Sequence, residues 1–146
     1  MNWIPLTSEA QLENIKLNSA NTPQVIFKHS TTCSISKMAL SRFERENAPE
    51  GVDFYYLDLL NYRPISNAIA EIFHVHHESP QILLIKKGEC TYDESHYGIM
   101  MDELIEQINQ DFMIAYKAKE MQKKDYKVHG LNGLKFIRGE YAKVKF

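Results

Sequence analysis

Val25-Ile26-Phe27-Lys28-His29-Ser30-Thr31-Thr32-Cys33-Ser34-Ile35-Ser36 is the stretch on which the fold turns. Val25-Ile26-Phe27 is a continuous apolar run, the pattern of a strand covered on both faces in a mixed or parallel sheet. From Ser34 the period changes. Ile35, Met38, Ala39 and Phe43 recur at helical spacing and predict an amphipathic helix that ends near Asn47-Ala48-Pro49. If Cys33 caps that helix, the N–H groups of Ile35 and Ser36 point back toward its sulfur. Those unpaired donors and the positive end of the helix dipole both favour thiolate over thiol. The hydroxyls of Thr32 and Ser36 are expected to add hydrogen bonds to the anion. His29 is expected either to stabilise the thiolate and shuttle a proton, or to be a polar strand-end residue. Free cysteine is often simply buried, but the strand–turn–helix position and the polar neighbours favour a nucleophile.

Outward from this stretch the elements alternate. Thr7-Ser8, with Gln11 three residues on, predicts the start of a short polar helix that runs toward Asn18 and is broken by Asn21-Thr22-Pro23. Val52 to Leu60 reads as a second strand. Ile65, Ala68, Ile69, Ile72 and Phe73 trace one face of a second amphipathic helix. Gln81 to Ile85 is a third strand, Lys86-Lys87-Gly88-Glu89 a turn, and Cys90 to Asp93 a short fourth strand of a hairpin. A long helix follows, with Met101, Leu104, Ile105, Ile108, Phe112 and Ala115 along one stripe. Strands alternating with helices, right-handed crossovers and a closing hairpin leave few compact solutions. The expected class is α/β: a thioredoxin-like, glutaredoxin-type sheet of four mixed strands flanked by helices, with an extra N-terminal helix.

Composition narrows the function. Of 146 residues, 44% are hydrophobic and 25% charged, ordinary for a globular protein. The longest apolar runs are strand-sized, so no membrane span is expected. The first residues lack a basic patch followed by an apolar stretch, so no secretion signal is expected and the setting is read as cytoplasmic. Two cysteines, Cys33 and Cys90, are too few for a disulfide scaffold or a zinc knuckle. The net charge of −2 conceals a split. Met1 to Tyr116 carries 8 Lys/Arg against 16 Asp/Glu, and Lys117 to Phe146 carries 9 against 3. A thioredoxin-like domain over 1–116 and a basic extension over 117–146 are therefore expected. In that extension Lys117 to Lys127 continues the last helix, and Leu134 to Ile137 with Glu140 to Phe146 form a candidate hairpin. Aromatics among lysines there raise nucleic-acid binding, which the acidic body or simple solubility makes the weaker reading.

Ser36 stands where a Cys-x-x-Cys motif would have its second thiol. Serine cannot release a mixed disulfide, so the resolving thiol must come from outside: a monothiol mechanism. Ser79-Pro80, at the mouth of the third strand, is a candidate cis peptide. In thioredoxin-like folds that turn faces the cysteine and pairs with extended substrate. Cys90 reads as a structural strand cysteine. His74, His76 and His77 lack a ligand partner at helical spacing, so no metal is expected.

These blocks together resemble a known family. Trp3, Ile26 to Ser36, Arg63-Pro64-Ile65-Ser66-Asn67, His77-Glu78-Ser79-Pro80-Gln81 and Ser95-His96 fall in the order of the YtxJ family of monothiol bacilliredoxins. The likeness covers roughly Asn2 to Ile108. Where that pattern has tryptophan beside Ser95-His96, Tyr92 and Tyr97 stand here, which keeps an aromatic surface. The resemblance implies that Cys33 removes bacillithiol from protein mixed disulfides, with bacillithiol as thiol co-substrate and no tightly bound cofactor. It implies S-bacillithiolated proteins and a bacillithiol disulfide reductase as partners. By position it suggests Arg63, Ser79, Pro80, Gln81, Ser95 and His96 as substrate contacts. Rival readings are a reductase for another small thiol, such as glutathione, and a non-catalytic binding module. Carriage of an iron–sulfur cluster is opposed by Ser34-Ile35, where a Gly-Phe pair would be needed.

Overall fold

A computed structural model describes the backbone of residues 1–128, and side chains except those of 112–116 and 123–128. The elements are β1 (Trp3–Pro5), α1 (Ala10–Asn18), β2 (Gln24–His29), α2 (Ser34–Glu44), β3 (Asp53–Asp58) and α3 (Arg63–Phe73). Then come β4 (Gln81–Lys86), β5 (Glu89–Ser95), a 3-10 turn (His96–Gly98) and α4 (Met101–Val128). Residues Met1–Ile108 form one compact unit, to which the following account applies; Asn109–Phe146 form a second. The hairpin expected at 134–146 lies outside the described residues.

The sheet runs β1-β3-β2-β4-β5. β2 pairs parallel with β3 and antiparallel with β4, and β4 pairs antiparallel with β5. This is the expected thioredoxin-like class, with one strand more than the four read from the sequence. β1 is the addition, parallel to β3 from Trp3↔Phe54 to Pro5↔Tyr56. Three residues ending in proline carry no strand signal of their own. What holds them is tertiary: the Trp3 ring lies 5.8 to 6.2 Å from those of Phe27, Phe43, Phe54 and Tyr56, and its Nε1–H donates to Glu44 Oε1 at 3.0 Å.

β2 is buried along its whole length, as a doubly covered strand must be. On one face Ile26, Leu83 and Ile85 pack with Leu12 and Ile15 of α1 and Ile65, Ile69 and Phe73 of α3. On the other, Val25, Phe27, Ile82 and Leu84 meet Ala39 and Phe43 of α2 and Met101 and Leu104 of α4. Burial of a side chain of this size contributes about 1.5–3 kcal/mol, so these two layers fix where each helix begins. Helix α1 begins one residue later than expected, with Glu9 at its N-cap and no side-chain cap; Gln11 still reaches back, accepting from the N–H groups of Thr7 and Ser8 at 2.8 and 3.0 Å. The β4–β5 hairpin closes through Lys87 and Gly88, both at positive φ (52° and 81°), as a two-residue primed turn requires.

Two helical stripes differ from expectation: Ile72, expected on the core face of α3, is exposed at 36%. Met38 was expected on the core face of α2, but it is 60% exposed. The buried face is Ser36, Ala39 and Phe43, because Ser36 finds hydrogen-bond partners inside and so joins the core.

Candidate active site

Cys33 is the N-cap of α2, with extended φ and ψ (−99°, 121°), and its thiol makes no side-chain capping hydrogen bond. Its carbonyl accepts from Lys37 N–H at 3.0 Å, while its own N–H donates to Ser30 O at 3.3 Å and closes the turn. The cysteine is partly exposed, with Thr31 and Thr32 exposed beside it. The first turn of α2 holds no acidic residue, so nothing there competes for the helix's positive end. Sulfur is thus offered to solvent at the N-terminal end of a helix.

Ser36, on the next turn, is completely buried. Its Oγ accepts from Ser30 N–H at 3.0 Å and lies 2.7 Å from His29 Nδ1. Burial lowers the His29 pKa, with Asp58 and Glu44 partly offsetting it. With its proton on Nε2, a neutral His29 ring accepts a hydrogen bond from Ser36 Oγ–H at Nδ1; with it on Nδ1, the ring donates to Ser36 Oγ. The hydrogen bonds of Ser36, His29 and Ser30 therefore run to one another, and Ser30 Oγ lies 3.4 Å from Thr32 Oγ1. Together they tie the end of β2 to the start of α2 and fix the helix terminus on which Cys33 sits.

The second half of the site is the segment before β4. Ser79-Pro80 is a cis peptide. Pro80 O accepts from His96 N–H at 3.1 Å, and Gln81 pairs with Ser95 across the β4–β5 ladder. His96, at φ 54°, turns its ring toward Glu78, Nε2 to Oε2 3.8 Å, and His76 approaches the same carboxylate at 3.9 Å. Because β2 and β4 are antiparallel with Lys28 opposite Gln81, continuing that register carries Ser79 and Pro80 alongside the chain leaving β2 toward Cys33. Arg63, exposed at the first residue of α3, lies at this same margin, where β3 also ends. The topology thus gathers Cys33, Arg63, Ser79, Pro80, Ser95 and His96 at one end of the sheet.

Gln81 is a correction. A direct substrate contact was expected, but its side chain is fully buried and used. Its Nε2 donates to His76 O at 3.0 Å and Asp93 Oδ2 at 3.3 Å, and its Oε1 accepts from Lys28 Nζ at 3.2 Å and Glu78 N–H at 3.3 Å. It holds the loop from below. Cys90 lies at the far end of the sheet. It pairs with Ile85, which pairs with Gln24 at the start of β2. Five residues of strand separate Gln24 from His29, about 16 Å at ~3.3 Å per residue, well beyond the ~7 Å between Cα atoms that a disulfide tolerates. Its thiol donates to Tyr92 O at 3.3 Å, and burial, with Asp93 nearby, pushes it up to about 11.

The residue that the sequence reading passed over is Lys28. It is completely buried inside β2, its ammonium donating to His77 Nδ1 and Gln81 Oε1. Burial lowers its pKa to about 8, a fall that Glu78 opposes and Arg63 deepens. A lysine directly after Val25-Ile26-Phe27, inside a strand buried along its whole length, was the available signal, since a doubly covered strand has no room for an idle charge.

A strand–cysteine–helix junction facing a cis-proline loop, in this sheet order, defines a thioredoxin-fold thiol oxidoreductase. A solved structure described as an oxidoreductase with a thioredoxin fold is 33% identical, with a TM-score of 0.60, covering 71% of this chain and 91% of that one. Malassezia sympodialis thioredoxin (20% identity, TM-score 0.56, covering 75% and 90%) and Trypanosoma brucei brucei thioredoxin (14%, 0.55, 77% and 92%) share the fold. The family described as monothiol bacilliredoxin BrxC matches residues 4–104, and the chain belongs to that family. Among the described residues no helix is long and apolar enough to cross a membrane, and no three His, Cys, Asp or Glu side chains are grouped to hold a metal.

Proposed function

We propose that Cys33 removes bacillithiol from protein mixed disulfides by a monothiol route. The observation that carries this reading is the arrangement of sulfur. Cys33 is partly exposed at a helix N-terminus, the internal resolving position holds the buried Ser36, and Cys90 sits at the opposite end of the sheet. The Cys33 thiolate attacks the bacillithiol sulfur of the mixed disulfide, and the client leaves as a thiolate that takes up a proton. A second bacillithiol thiolate then attacks the adduct sulfur, regenerating the Cys33 thiolate and releasing bacillithiol disulfide for a separate reductase. Net, the mixed disulfide and one free bacillithiol give the client thiol and bacillithiol disulfide by two thiol–disulfide exchanges, so no bound cofactor enters. Rate depends on thiolate fraction, nucleophilicity and the leaving thiol. Arg63 stands at the site's margin as a cationic partner for bacillithiol's carboxylates, and His96, Ser79 and Ser95 as polar contacts. The chemistry implies a cytoplasmic setting, where thiols stay reduced.

Intact mass after mixing the reduced protein with an S-bacillithiolated client tests this. One bacillithiol adduct that requires Cys33 but not Cys90, with the client freed as thiol, is expected. Equal transfer by Cys33→Ala would overturn the reading. Comparable exchange with a glutathionylated client would make the small thiol unspecific.

A further inference from the structure

The Lys28 ammonium is buried below the segment that carries Ser79 and Pro80, and its bonds reach both ends of that segment. One goes to the His77 ring at the near end, and the other to Gln81 Oε1 at the first residue of β4. Gln81 relays the hold, accepting from Glu78 N–H and donating to His76 O. Ser66 Oγ lies 3.3 Å from His77 Nδ1 and fixes the ring from α3. Every polar atom in this set converges on residues 76–81. A lysine in a strand core gives up hydration that only such contacts can replace, and a leucine would fill the strand more favourably. A packing role therefore does not account for a charged group here.

Building on the reading above, we propose that Lys28 is a positioning residue whose protonated amine latches residues 76–81 in the conformation that receives the client chain, and that loss of its proton loosens the latch. The groups facing it are known from each packed element. They are Arg63 and Ser66 from α3, His77 and Glu78 from the loop, and Gln81 from β4, with Asp93 of β5 held through Gln81. From α1 the same face receives the apolar Leu12 and Ile15. His77, whose own pKa burial and Lys28 both lower, is a neutral acceptor for the amine near neutral pH. Burial is the chief force that expels the proton from Lys28; Glu78 opposes it and Arg63 adds to it. The amine thus changes charge close to the working range of thiol exchange. At lower pH the loop is held, and at higher pH Gln81 and His77 lose a charge-assisted donor.

Two readouts on the full-length chain test this. The first needs no substrate: an NMR titration of the lysine Nζ resonances and backbone amides from pH 6 to 10. Lys28 is expected to titrate near pH 8, with the amides of residues 76–81 shifting at the same midpoint. A Lys28 titration that leaves those amides unmoved overturns the latch. The second is steady-state turnover of an S-bacillithiolated client across the same range for wild type, Lys28→Met and Lys28→Arg. Wild-type KM is expected to rise several-fold above pH 8. Lys28→Met should have a KM raised roughly tenfold at every pH, less than the ~100-fold in rate that a misplacement of about 1 Å can cost. Lys28→Arg, always charged, should restore a low KM without the pH step. A Lys28→Met enzyme that keeps the wild-type KM and its step refutes the proposal. A wild type with no turnover of the client would refute the functional reading alone, since the NMR titration judges the latch by itself.

Discussion

Cys33 and Cys90 are the same residue placed at opposite ends of one sheet, and their surroundings differ at every point that matters to sulfur. Cys33 ends a polar turn and begins a helix, so its neighbours are unpaired N–H groups and solvent. Cys90 sits within a strand, its thiol donating to a carbonyl and its anion opposed by burial and by Asp93. The contrast is one of element type. A helix N-terminus accepts negative charge, whereas a strand surrounded by carbonyls and carboxylates rejects it.

Substitution breaks this contrast most sharply. Cys33→Ser should abolish release of the client thiol, a loss of over ~1,000-fold because no other sulfur is in place, whereas Cys90→Ser should stay within about twofold. A stopped assay of client thiol in both variants checks this. Alkylation sharpens the contrast next. With its pKa near 11, Cys90 is thiolate in only about one molecule in 10,000 at pH 7. Iodoacetamide is therefore expected to label Cys33 and spare Cys90 until the chain unfolds, as peptide mass mapping would show. Early label on Cys90 would mean its strand opens readily.

Lys28 extends the comparison from sulfur to nitrogen. Its pKa falls on folding from 10.5 to about 8, so the charged form destabilises the fold. At ~1.36 kcal/mol per unit that cost is up to about 3 kcal/mol. The unfolded chain binds more protons between those values, so wild-type stability gains from rising pH in that window. Lys28→Met should melt no lower than wild type at pH 7, and its relative advantage should shrink from pH 8 toward 10.5. Thermal melts across pH decide it. A smaller effect is expected for Ser36→Ala, which leaves Ser30 N–H and His29 Nδ1 without their partner and should cost about 1–3 kcal/mol, read from denaturant midpoints.

What the sequence made legible was local. Val25-Ile26-Phe27, Gln81 to Ile85 and the two helical stripes carry their periods openly, and Cys33 announces itself by standing where one period ends and the other starts. The rest depended on contacts between distant segments. Trp3-Ile4-Pro5 becomes a strand only against β3 and a ring of aromatics. Met38 turns outward because Ser36 is satisfied inside. Gln81 supports the loop from beneath because Lys28 lies opposite it, a pairing that appears only once the register of two strands is known.

The two outermost strands have a consequence for self-association. β1 is only three residues long and ends in Pro5, which has no N–H to offer a neighbour. β5 is longer, but a bulge at Leu84/Ile85 interrupts its ladder, and Glu89, Asp93 and Glu94 line it with negative charge. Among the described residues neither flank offers a flat, neutral template for a stray chain to add to, which guards the fold against fibril-like stacking. Under the proposed function, an extended client segment would pair instead at the Ser79-Pro80 turn opposite Cys33.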